Sequence, residues 1–101
     1  MKTWKEYLIE KSGVFDIDNV DELEREVINF LKQKKATNPN NSLYLDDVLD
    51  TASSNNFFNW LNNKYSKLNL GSAPNKKLEK ILKTSNVINS RKSRNGVSIW
   101  V

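Results

Sequence analysis

Apolar positions in this chain recur at helical spacing in three places. Leu23, Val27, Phe30 and Leu31 form the first stripe, Phe57, Leu61, Tyr65 and Leu68 the second, and Leu78, Ile81 and Leu82 the third. The third predicts a helix over Ala73–Ser85, with Lys76, Lys80 and Lys83 almost directly opposite its apolar side. Val87–Ser90 and Gly96–Val101 read as two strands of a hairpin. Val97, Ile99 and Val101 alternate with Ser98 and Trp100, and Asn95-Gly96 offers the positive-φ residues of the turn.

The boundaries follow from caps and turns. Thr3-Trp4-Lys5-Glu6 has the form of a capping box opening a short helix to about Lys11, closed by Gly13. Val14–Asp18 is an extended connector. Asn19 caps the next helix, with Glu22 completing the box and Lys32, Lys34 and Lys35 at its carboxyl end. Asn38-Pro39-Asn40-Asn41 is a turn. Ser42–Leu45 fits a short strand that pairs with the later hairpin, and Asp46-Asp47 reads as a helix start rather than a metal loop. The aromatic helix is expected over Asn56–Lys67. Whether Leu45–Lys67 is one helix or two, broken near Ser53-Ser54, the pattern leaves open. Leu68–Ser72 is then a Gly71-containing turn, with Ser72 as N-cap and Pro74 in the first turn of the last helix.

The resulting order is helix, short strand, helix, turn, helix, strand, basic loop, strand. It predicts a mainly α fold with a small antiparallel β-hairpin: a winged helix-turn-helix over residues 19–101, with an accessory N-terminal helix and connector over residues 1–18.

Composition narrows the chemistry. The chain has 101 residues, enough for one core, and no cysteine or histidine, which removes disulfides, thiolate or imidazole metal sites and Cys- or His-dependent catalysis. The serines have no visible base and the carboxylates are spread along helix surfaces, so no enzyme, metal or cofactor is expected. No run has the length of a membrane span and the first residues lack an apolar signal core, which implies no membrane and a cytoplasmic location, the host's if the chain is viral.

Charge is divided. Residues 52–101 hold nine Lys/Arg against one acid, Glu79, whereas residues 1–51 hold seven against eleven acids. The basic half is the candidate for binding anions. Its DNA-binding candidates are Asn75, Lys76, Lys77, Lys80 and Lys83 on the last helix and Arg91, Lys92 and Arg94 in the hairpin. Lysines suit phosphate contacts, Asn75 is the candidate for a base edge, and the arginines suit a minor groove or flanking backbone. With two of only three arginines in the hairpin, affinity is expected to exceed sequence specificity.

Val27–Lys32 (Val-Ile-Asn-Phe-Leu-Lys), Phe57-Phe58-Asn59-Trp60-Leu61, Leu78–Leu82 and Arg91–Trp100 (Arg-Lys-Ser-Arg-Asn-Gly-Val-Ser-Ile-Trp) resemble the winged-helix domain that ends phage, plasmid and poxvirus-type primase–helicases. The resemblance covers roughly Asp21–Val101. It implies a DNA-contacting appendage to a replicative ATPase, acting on duplex or forked DNA, as an excised domain or a free-standing protein. The chain departs from such proteins in carrying no nucleotide-binding Gly-rich loop, so no ATPase activity follows. The alternative is a protein-interaction module, a small phage-type inhibitor or adaptor whose acidic half, with Asp46, Asp47 and Asp50, faces a basic partner.

Overall fold

The computed structural model describes residues 13–101. The helix expected over Thr3–Lys11 lies outside them. The described chain runs β1 (Val14–Asp16), α1 (Val20–Gln33), β2 (Leu43–Tyr44), α2 (Leu45–Leu49), α3 (Phe57–Asn62), β3 (Lys67–Asn69), α4 (Pro74–Thr84), β4 (Asn89–Ser93) and β5 (Gly96–Trp100).

The described residues form an α/β domain with four helices and five strands in two sheets, which overturns the expectation of a mainly α winged helix-turn-helix. Two departures account for the difference. The connector Val14–Asp18 contains a strand: β1 pairs in parallel with β3, Phe15 opposite Leu68, and Phe15 and Ile17 are buried. In addition, α3 ends at Asn62 instead of continuing to Lys67, so a strand, not a tight turn, separates it from α4.

Tertiary contacts end α3. Asn62 and Asn63 are weak helix formers, and past them the Gly13 carbonyl accepts from the backbone N–H of both Ser66 and Lys67 and from the Ser66 hydroxyl. Tyr65 thereby leaves the helix and meets the Phe15 ring at a centroid distance of 5.4 Å. Tyr65 still joins the core and Leu68 packs against it, but a loop and a strand deliver them rather than a continued helix.

α1 behaves as its sequence dictates at the start. The Asn19 side chain accepts from Glu22 N–H at 3.2 Å. The reciprocal half of the box is not made: Asn19 N–H donates to the Asp16 carbonyl, and the Glu22 carboxylate meets Tyr65 and Arg25. Its end is a Schellman motif. Ala36 N–H donates to Leu31 O and Lys35 N–H to Lys32 O, with the buried pair Ala36 and Leu31 in the motif's apolar positions. Lys35 occupies the left-handed position at φ 61°, where glycine is the usual residue.

The break between α2 and α3 is held by asparagines. Asn56, buried, accepts from Asn59 N–H and donates from its amide to the Val48 carbonyl, while the Asn59 amide donates to Thr51 O. Two helices therefore form where the pattern left one or two open.

The second sheet has the order β2-β5-β4, all antiparallel, with Leu43 opposite Ile99 and Tyr44 opposite Ser98. The short strand thus pairs with the hairpin. One cluster unites Phe15, Leu23, Phe30, Leu31, Phe57, Leu61, Leu78, Leu82 and Ile99. Among the described residues no helix is long and apolar enough to cross a membrane.

Candidate nucleic-acid interface

The interface is built outward from α4. Leu78, Ile81 and Leu82 are buried, so the helix is anchored along one side, and the Ser85 hydroxyl fixes its end by donating to the Glu24 carboxylate of α1 at 2.6 Å. On the other side Asn75, Lys76, Lys80 and Lys83 are exposed. Lys76, Lys80 and Lys83 line a shallow depression of about 460 Å³ together with Glu79 and Thr84. Glu79 is half-buried and is the acid closest to the row in sequence.

The start of α4 differs from the expectation. Ala73, not Ser72, occupies the cap position, in a left-handed conformation at φ 50° and without a side-chain cap bond, and Pro74 opens the helix. No acid stands in its first turn. Lys77 does not join the exposed row. It bends back to Asp18, Nζ to Oδ1 at 2.9 Å, beside Gly71, where an added Cβ would lie 3.1 Å from the same Nζ. Its charge is locally compensated, which separates it from its neighbours on the helix.

In the hairpin, Arg91, Lys92 and Arg94 are all exposed, and every residue of β4 is. The pleat divides them. Arg91 pairs with Ser98 and Lys92 with Val97, so they project to opposite faces of the ribbon. The Arg91 guanidinium lies 6.0 Å from the Trp100 ring centroid, and Arg94 sits in the two-residue turn between Ser93 and Gly96. Gly96 adopts φ 129°, a conformation closed to side-chain-bearing residues.

A second polar cluster went unnoticed in the sequence. Glu26, buried, binds Lys64 Nζ at 2.6 Å and accepts from the Tyr65 hydroxyl, which also reaches Glu22 at 3.4 Å. Burial alone would raise the Glu26 pKa, but hydrogen bonds from Lys64, Tyr65 and Asn29 outweigh it and hold the carboxyl below its usual range. Burial, reinforced by the two carboxylates, pushes the Tyr65 hydroxyl well above the ordinary tyrosine value. The signal was available: Glu26 falls inside the stripe Leu23, Val27, Phe30, on the face destined for the core. Lys64 is in turn covered by Trp60, with Nζ 5.3 Å from the ring, and Trp60 Nε1 donates to Gln33 at 2.7 Å. Each member already has partners, so the cluster ties α1 to the segment after α3.

Among the described residues no buried side-chain nitrogen or oxygen lacks a partner, and no group of three or more His, Cys, Asp or Glu is placed to hold a metal. Comparison with protein-family models, curated proteins and solved structures finds no match.

Proposed function

We propose that the chain is a non-catalytic DNA-binding module whose principal contact is the row Lys76, Lys80 and Lys83 on α4, with Asn75 beside it and the hairpin cations as a second set. The observation that carries this reading is the opposition, on one anchored helix, of three exposed ammonium groups to three buried apolar side chains. Residues 80–101 add Lys80, Lys83, Arg91, Lys92 and Arg94 without a single acid. Ammonium groups spaced along a rigid rod suit phosphates, which supply affinity and position without reading sequence. The acidic half, with Asp46, Asp47 and Asp50, stays off the DNA and is free to meet a protein partner such as a replicative ATPase. A role in replication of a mobile element, in the cytoplasm of its host, fits this division.

The test is charge reversal. Lys76, Lys80 and Lys83 changed together to Glu should abolish binding to a fluorescent duplex, while the circular-dichroism spectrum stays as in the parent. A triple variant that binds like the parent would remove α4 as the contact surface.

A further inference from the structure

The outward face of the three-stranded sheet has chemistry that a row of phosphate contacts does not require. Tyr44 of β2, Ser98 of β5 and Arg91 of β4 form one row across it, since Tyr44 and Arg91 are both paired with Ser98. Strand alternation puts Gly96, Trp100, Asn89 and Ser93 on the same face. The middle of this face is low at Ser98, and planar groups border it. Tyr44 is 42% exposed. On the other side the Arg91 guanidinium lies over the Trp100 ring, 6.0 Å from its centroid. Two strand spacings separate Tyr44 from Arg91, about 10 Å between backbones, which leaves room for a planar group over Ser98.

Part of this has a purely structural explanation. The Tyr44 ring comes within 4.0 Å of a Cβ built on Gly96, so it covers the backbone that the glycine leaves bare. Any large apolar side chain would do that, and it does not explain an exposed tyrosine across the row from Arg91, with Trp100 beside it. The charge around the trough is also graded. Asp46 and Asp47 come after Leu45, in the first turn of the helix that follows Tyr44, whereas on the other side β4 carries Arg91 on this face and its turn carries Arg94, with no acid.

We infer that this face binds the bases of an unpaired nucleic-acid strand, between Tyr44 and the Arg91–Trp100 pair, with the phosphates following β4. The inference rests on the DNA-binding reading and specifies which DNA: a duplex opening into single strands. Aromatic and guanidinium planes stack on any base, so recognition is independent of sequence. Arg91 and Arg94 attract phosphates to the β4 side, and Asp46 and Asp47 at the start of α2 disfavour them beyond β2, which fixes the side on which the backbone lies. A peptide would need pockets for alternate side chains, and a floor formed by Ser98 offers none.

The test compares a blunt duplex with a forked one bearing about a dozen unpaired thymidines on each arm. Binding is read by fluorescence anisotropy for the parent, Tyr44→Leu and Tyr44→Phe. Leucine still covers Gly96 but has no aromatic face; phenylalanine retains both properties. The parent should prefer the fork, Tyr44→Leu should lose roughly 5- to 100-fold on the fork alone, and Tyr44→Phe should match the parent. Blunt-duplex affinity and melting temperature should be the same in all three proteins. Equal fork affinity for parent and Tyr44→Leu, with blunt duplex still bound, overturns this inference and leaves the lysine row standing. Absence of binding to either probe by the parent overturns both.

Discussion

Lys35 and Glu26 each break a local rule, and hydrogen bonds hold each in place. Lys35 holds a left-handed conformation at the end of α1 because the Schellman bonds from Lys35 and Ala36 require it there. Its side chain is exposed and does not make the motif, so Lys35→Gly should stabilise the domain by about 1 kcal/mol, read from chemical denaturation. A less stable variant would mean that the lysine has a packing role. Glu26 is the converse case, an ionised group inside an apolar stripe. Its pKa is depressed on folding, so its stabilisation is complete above the ordinary carboxylate value near 4.5 and is lost as pH falls through the lower folded value. The Tyr65 pKa is raised, so its contribution holds below about 10 and fades as pH climbs past that value. The melting temperature should therefore fall at both extremes. Glu26→Gln should cost about 2 kcal/mol near neutrality and flatten the acid limb. An acid limb as steep as the parent's would assign acid sensitivity to other carboxylates.

Among the elements, the stripes of α1 and α4 and the short strand that pairs with the hairpin were legible, whereas the parallel strands were not. The Asn19 cap and the apolar face of α4 are written locally, in side-chain periodicity and capping chemistry. The hairpin forms, but its turn residues are Arg94-Asn95, and of the expected positive-φ pair Asn95-Gly96 only Gly96 adopts that conformation. The parallel pair of β1 and β3 is not written locally. Each has three residues, too few to show alternation, and their partnership depends on bringing Val14 beside Lys67, more than fifty positions away. The same pairing cut α3 short, although Tyr65 and Leu68 continue its apolar period. Phe15 measures how much β1 matters. It is fully buried against Tyr65, and Phe15→Ala should cost about 3–5 kcal/mol, as for buried aromatics in a core. A cost below about 1 kcal/mol would make β1 an appendage, not part of the core. On the candidate interface, the sequence placed Lys76, Lys80 and Lys83 on an outward face but could not foresee Lys77 turning to Asp18. That pairing depends on the β1–α1 turn packing beside α4. Nor could spacing alone align Tyr44 with Arg91, because the alignment comes from the β2–β5 and β4–β5 registers.

For the whole molecule, the division of charge along the chain becomes a division of surface. α4 and the hairpin concentrate the cations, and α1 and α2 hold most of the described acids. A protein built this way should bind polyanions through counterion release, with an affinity that falls steeply as salt rises. The three exposed lysines of α4, with one or two hairpin cations, correspond to a slope of log K against log salt of about −3 to −5 on duplex DNA. The most direct measurement is that slope, for the parent and for a variant with Lys76, Lys80 and Lys83 changed to Gln, which removes charge without reversing it. The parent should show the steep value and the variant a slope shallower by about 3, roughly one for each phosphate contact removed. A parent slope near zero, or a variant slope equal to the parent's, would contradict the assignment of α4 as the DNA-contacting helix.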